Sequence, residues 1–381
     1  MTIIILGGGI AGTTCAEEAR KLLPDAEITI LSEEPPPLYS RVLLGHYLKG
    51  QIERERIFLK KMAWSEEQKI QIFDVRAEKN DVKNKFVATS DGRELPFDKL
   101  VIATGRYTRD LPEDQRGVSY LWTLDDAEHL SQLISEQSRP CPVAIYGGGL
   151  IAGEYLNIFK HFNFDITIAF RGTKFLSKNL DEKSSQLIVD HLKKQNIKVV
   201  PEADFVRLEG EKELEKFVTS QGEISCKILG VGIGLDPDFS VFENSGLKIN
   251  KGIVVNEKME TNLPDVYAIG DIIEAPDFYS GRTRMFGSWF AAQTQGRVAG
   301  QNLAGQNSVF KQITSTSMNF AGLDVIIIGD TDHDWADEIK LDENSDGVVQ
   351  RFFKNKKLIG ATLVNRNGER KGVMEEFEVK T

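Results

Sequence analysis

An α/β fold with two three-layer units is predicted by two stretches that run strand, glycine-rich turn, helix and second strand: "IIILGGGIAGTTCAEEARKLLPDAEITILSE" from Ile3 and "VAIYGGGLIAGEYLNIFKHFNFDITIAFRG" from Val143. A third observation adds a small α+β module: from about residue 309 the chain is rich in β-branched and aromatic residues, broken by "DENSDG" and "NRNGER".

The glycines of the two repeats have defined physical tasks. In a G-x-G-x-x-G turn the first permits the bend, the second lets the backbone approach a pyrophosphate, and the third lets helix and strand pack closely. These are Gly7, Gly9 and Gly12 in the first repeat, and Gly147, Gly149 and Ala152 in the second. Two such turns, each between an apolar strand and a helix, point to two Rossmann-like dinucleotide-binding units. The second strands end differently. The first leads into Ser32, Glu33 and Glu34, where Glu33 lies at the distance of a ribose-diol acceptor. The second reads "AFRGTK": Phe170 and Arg171 stand where an acid is usual, and Arg171 with Lys174 suits a 2′-phosphate, which leans the second unit toward NADPH over NADH.

Between and beyond the repeats, composition narrows the class. A chain of 381 residues exceeds one core and implies two or three domains. Hydrophobic content of 41% and charged content of 27% are those of a soluble globular protein, and a net charge of −10 argues against nucleic acid as the main partner. "MTIIILGGGIAG" has no basic leader and meets a glycine turn too early for a signal peptide or membrane span, so a cytoplasmic location is expected. Cys15, Cys141 and Cys226 match neither a disulfide framework nor a zinc site, and the five histidines show no metal-ligand spacing; no metal is expected.

"LPFDKLVIATGRYTRDLP" places a short strand before Thr104 and Gly105, and "TNLPDVYAIGDIIEAP" places another before Gly270 and Asp271. With the two glycine turns, these resemble the paired signatures of the two-dinucleotide flavoprotein reductases, the pyridine nucleotide-disulfide oxidoreductase superfamily. "EEPPPLYSRVLLGHYLKG", "LWTLDDAEHL" and "SWFAAQTQGRVAGQNLAG" are similar to the branch of NADH:rubredoxin reductases and the N-terminal part of large nitrite reductase subunits, and nothing resembles a siroheme or iron–sulfur part. The resemblance implies an FAD domain of residues 1–110 and 235–308, an inserted NAD(P) domain of 111–234 and a C-terminal module of 309–381. It implies FAD on the first unit with Asp271 on the ribityl chain, and NAD(P)H on the second with Glu154 on the nicotinamide side.

Other residues carry roles by resemblance alone. Arg41 matches the arginine of a "Y-x-R" bordering FAD, and Trp289 an aromatic near the flavin. The C-x4-C pair of disulfide reductases is absent, so dithiol chemistry at the flavin is not expected. Where peroxide- and oxygen-reducing relatives place a redox cysteine after a serine, this chain has Gly45 and His46, which makes His46 the candidate catalytic residue beside the flavin, with a partly buried helix-capping histidine as the alternative. Trp122 replaces an arginine usual in relatives. The implied activity is an FAD-dependent NAD(P)H oxidoreductase feeding a rubredoxin- or ferredoxin-like acceptor. An NAD(P)H oxidase or diaphorase, and a non-catalytic or electron-relay FAD subunit of a larger complex with a degenerate nicotinamide site, remain open, as does a homodimer.

Overall fold

The computed structural model describes residues 1–34 and 36–378. They divide into two compact units, one of residues 1–40, 58–107 and 236–314, the other of 41–57, 108–235 and 315–381.

The first unit is built on a parallel sheet whose strands run, across the sheet, Val266–Ala268, Lys99–Ile102, Thr2–Leu6, Glu27–Ser32 and Ile70–Asp74. A parallel sheet is covered on both faces, so its strands read as unbroken apolar runs; Ile3, Ile4, Ile5 and Leu6 are all at most 1% exposed. The helix Ile10–Leu22 follows the glycine turn and packs along the helix Trp289–Leu303. Small residues allow that contact: a side-chain carbon at Gly296 would lie 2.4 Å from the Ala11 carbonyl oxygen, and one at Gly300 would lie 2.8 Å from that of Cys15. Two three-stranded sheets complete the unit, Ala77–Asp81, Phe86–Thr89 and Glu94–Pro96, and Ile253–Val254, Ile273–Pro276 and Thr283–Arg284.

The second unit repeats the plan with strands in the order Lys198–Val200, Asp165–Ala169, Pro142–Tyr146, Ile228–Val231 and Val118–Ser119, all parallel. Helices Leu124–Glu136, Leu150–His161 and Glu182–Lys194 accompany it. Tyr155, fully buried, lies over Gly230, where any side chain would strike its ring, and donates its hydroxyl to the Ser119 carbonyl at 2.7 Å. The C-terminal residues form an antiparallel sheet ordered Ser315–Phe320, Leu323–Gly329, Lys357–Val364, Val348–Lys354 and Glu338–Glu343, with the helix Arg370–Glu378. This is the α+β module read from the sequence.

The boundaries differ from the division suggested by the sequence. Residues 41–57, counted there with the first domain, group with the second unit, because the short helix Leu44–Leu48 packs on Leu124–Glu136 and Leu150–His161 and Arg54 pairs with Glu128 at 2.8 Å. The C-terminal sheet groups there too: Asn157 Nδ2 donates to the Asn319 carbonyl at 2.9 Å, Asn157 Oδ1 accepts from the Ala321 amide at 3.2 Å, and Gly153 leaves room for the Asn319 carbonyl, 3.2 Å from where a side chain would start. No helix among the described residues is long and apolar enough to cross a membrane.

The helix contact at Gly296 is testable by overpacking. Gly296→Ala should lower unfolding stability by about 1–3 kcal/mol, although alanine is the better helix former by about 1 kcal/mol. Chemical denaturation checks this, and an alanine variant at least as stable as the parent would contradict the contact.

Candidate functional site

In the first unit, the chain leaves the Thr2–Leu6 strand at Gly7, where a φ of +111° and the Ala103 carbonyl oxygen, which would lie 2.3 Å from any side-chain carbon, admit only glycine. Gly12 lets the helix close onto the strand end, since a side-chain carbon there would lie 2.0 Å from the Gly7 carbonyl oxygen. Gly9 is different: a side chain there would meet nothing within 4 Å, so the open space lies on the outer side of the turn. Gly9 is also the N-cap of Ile10–Leu22, with no side-chain cap and no acid in the first turn. The first amides of the helix, at the positive end of its dipole, are therefore free of side-chain competition for an anion.

Neighbouring strands bring further groups to the same edge. After Lys99–Ile102 come Thr104, whose buried Oγ1 has no hydrogen-bond partner among the described residues, and Gly105 at φ +70°. After Val266–Ala268 the chain enters the 3-10 turn Gly270–Ile272 with Gly270 at φ +82°, and Arg106 Nε donates to the Asp271 carbonyl at 2.7 Å. Glu33, exposed past Glu27–Ser32, accepts from the Tyr107 hydroxyl at 3.2 Å and faces Arg76 Nε at 3.8 Å; Arg76 is tied to Asp238 at 2.6 Å. Burial first, then the charge of Glu33, pushes the Tyr107 hydroxyl up to about 12, so it stays a neutral donor. Trp289, half-buried, starts the helix Trp289–Leu303. An uncapped helix start, an open glycine, an orphaned hydroxyl and a carboxylate oriented by a tyrosine are groups that fit a dinucleotide. Tyr107 and Arg106 were missed in the sequence; adjacency to the Thr104–Gly105 signature was the available signal.

The second unit repeats the turn. Gly147 has φ +144° and would clash with the Gly232 carbonyl at 2.2 Å if it carried a side chain; Gly149 is open and caps Leu150–His161 without a side-chain bond; Ala152 is fully buried as the third small residue. The amides of Gly7 and Gly147 donate to Leu31 and Ala169, each at 2.8 Å, which sets the two repeats in one register. Two residues past that anchor stand Glu33 and Arg171. Arg171 alone is thus the counterpart of the acid. Phe170 corresponds to Ser32 and does not replace an acceptor: it is buried, packs its ring 4.5 Å from that of Phe175, and fills the space over Gly148, 3.2 Å from where a side chain would start. Arg171 is exposed, and among the described residues neither it nor Lys174 has a hydrogen bond or ion pair.

His46, Gly45, Arg41 and Glu154 all belong to the second unit. Gly45 lies against Glu154, whose Oε2 would be 2.6 Å from any side-chain carbon at that position. Burial raises the Glu154 carboxyl above its ordinary range, opposed by the charges of Lys49 and His46. His46 is exposed and its Nδ1 is 2.7 Å from Gln51 Oε1. Arg41 donates to the Trp122 carbonyl and sits 4.8 Å from the centre of its ring. Cys15 and Cys226 are buried and Cys141 half-buried, and burial raises all three thiols, Cys226 to about 12.

A carboxyl raised in the folded state disfavours folding above its folded pKa and has no such effect below its ordinary value. Glu154→Gln should therefore raise the thermal midpoint at pH 7 to 8, with the gain over the parent vanishing below about pH 4. Midpoints measured across this range check the sign; a gain that persisted at acid pH would assign it to another cause.

A profile of the pyridine nucleotide-disulphide oxidoreductase family matches residues 1–296, and the chain belongs to that family. It is similar to nitrite reductase [NAD(P)H] of Bacillus subtilis strain 168, 26% identical over 377 residues, 96% of this chain and 46% of that protein, so it spans about half the length of that relative. It is also similar to NADH-rubredoxin oxidoreductase of Clostridium acetobutylicum, 25% identical over 365 residues, 95% of this chain and 90% of that one. The fold is shared with the covalent putidaredoxin reductase–putidaredoxin complex, with a TM-score of 0.90 at 22% identity over 99% of this chain and 92% of that one.

Proposed function

We propose that the chain is an FAD-dependent NAD(P)H oxidoreductase of the cytoplasm that holds FAD on its first unit and NADPH in preference to NADH on its second, and passes electrons to a small redox protein of rubredoxin or ferredoxin type. The observation that carries the reading is the opposite chemistry at two equivalent positions: Glu33, a diol acceptor, past one glycine cradle, and the unpaired Arg171 past the other. Gly7, Gly9 and Gly12 admit the flavin dinucleotide's pyrophosphate, Glu33 takes its ribose, Thr104 supplies its spare hydroxyl, and Asp271 takes the ribityl hydroxyls. Gly147 and Gly149 admit the second pyrophosphate, and Arg171 grips the 2′-phosphate. The chemistry a bound flavin supplies is acceptance of a hydride equivalent from reduced nicotinamide and its release as electrons. His46 and Glu154 are the chain's groups for holding or exchanging a proton. The similarity to an NADH-rubredoxin oxidoreductase, and the fold shared with a reductase joined to putidaredoxin, support the acceptor class.

A second reading, electron relay inside a larger assembly, is favoured by the similarity to a nitrite reductase of which the chain spans 46%. Anaerobic mixing separates the two. Bleaching of the flavin band by NADPH alone supports an autonomous enzyme; a flavin reduced by neither nicotinamide supports the relay.

Two variants test the residue assignments. Asp271→Ala should lose flavin on gel filtration while the parent stays yellow, and equal retention would remove Asp271 from the site. Arg171→Ala should weaken NADPH about ten- to a hundredfold and leave NADH nearly unchanged, as loss of a charge-assisted contact of about 1.5–3 kcal/mol predicts. Stopped-flow reduction with each nucleotide reads this, and parallel loss for both would refute a phosphate contact.

A further inference from the structure

The turn that carries Asp271 is held by a side chain from a distant element. Gln295, 0% exposed on the helix Trp289–Leu303, accepts from the Gly270 amide through Oε1 at 2.8 Å. The next residue, Gly296, is where that helix closes onto Ala11, and Gly270 itself lies against Ala11, 3.2 Å from where a side chain would start. Arg106 holds the other end of the peptide pair at the Asp271 carbonyl. Gln295 Nε2 is buried too and has no partner among the described residues. A leucine or methionine would fill this volume without an unpaired amide hydrogen, so packing alone does not account for a glutamine here; among the described residues its polar end serves the Gly270 amide.

Gly270 sits in the left-handed region at φ +82°, which a bare backbone leaves only weakly restrained, and the direction of the Asp271 side chain is fixed by the peptide just before it. We propose that Gln295 is a positioning residue for the flavin dinucleotide: by fixing the Gly270 amide it aims the Asp271 carboxylate, and it couples that aim to the packing of Trp289–Leu303 on the helix of the glycine turn. The inference rests on the FAD reading above. It assigns Gln295 a role in ligand retention, separate from its share in the core.

The test strips FAD from the purified full chain and reloads it, with the dissociation constant read by flavin fluorescence and the thermal midpoint of the stripped protein read in parallel. Gln295→Met, of similar size but without the acceptor, should bind FAD about tenfold more weakly, the loss of one hydrogen bond. Gln295→Glu keeps an acceptor oxygen in either protonation state and should return affinity to within about threefold of the parent, even if both stripped variants melt lower than the parent by similar amounts. A methionine variant with parental FAD affinity overturns the proposal, and so does a glutamate variant as weak as the methionine one. Should the methionine variant not fold, retention or loss of FAD by the glutamate variant decides alone. A folded parent that takes up no FAD would defeat the functional reading itself, a result distinct from a parent that binds FAD with variants indifferent to the change.

Discussion

Each cradle depends on one close approach of backbone to backbone. Gly7 passes the Ala103 carbonyl, and Gly147 passes that of Gly232, at distances where a side-chain carbon would lie 2.3 and 2.2 Å from oxygen. Nothing but a bare Cα with positive φ can make that pass, and only after it can the helix start at the strand end and point its unpaired amides outward. The third small residue, Gly12 or the fully buried Ala152, then lets helix and strand close together. Because those contacts consume the space on the inner side of the turn, the outer side at Gly9 and Gly149 stays open, which is the side a pyrophosphate would approach.

From that shared scaffold the two units diverge by charge. The anchor bonds to Leu31 and Ala169 put Glu33 and Arg171 at the same place. Glu33 is embedded in a network with Tyr107, Arg76 and Asp238, which orients its carboxylate, whereas Arg171 stands exposed with no hydrogen bond or ion pair among the described residues. A carboxylate accepts from hydroxyls and repels phosphate; a guanidinium does the reverse. Opposite charge at one equivalent position thus distinguishes two similar glycine turns.

Small residues also decide where polar groups can be stored. The bare Cα of Gly45 admits the Glu154 carboxyl into the contact between two helices, where burial raises its pKa. Gly296 and Gly270 press against Ala11 and enclose Gln295 beside the Asp271 turn. In both places close packing around a glycine shields a polar side chain, fully for Gln295 and in part for Glu154, which makes its chemistry sensitive to changes several residues away.

The sequence by itself determined the two glycine turns, the strand-turn-helix units around them, the contrast of Glu33 with Arg171 and the family signatures at Thr104–Gly105 and Gly270–Asp271, because each is a local pattern whose residue types are dictated by short-range sterics and charge. It also announced a small C-terminal sheet from β-branched composition. What only the tertiary structure decided depends on residues far apart in the chain. Phe170 reads as a missing acceptor until the strand register assigns it to the space over Gly148. Residues 41–57 and the C-terminal sheet join the second unit through helix faces and Asn157, contacts with no signal in spacing. Tyr107 on Glu33, Gln295 on Gly270 and Glu154 under Gly45 are hydrogen bonds and close approaches across 25 to more than 100 positions of sequence; they arise only when the sheets bring their strand ends together, and local propensity carries no record of them.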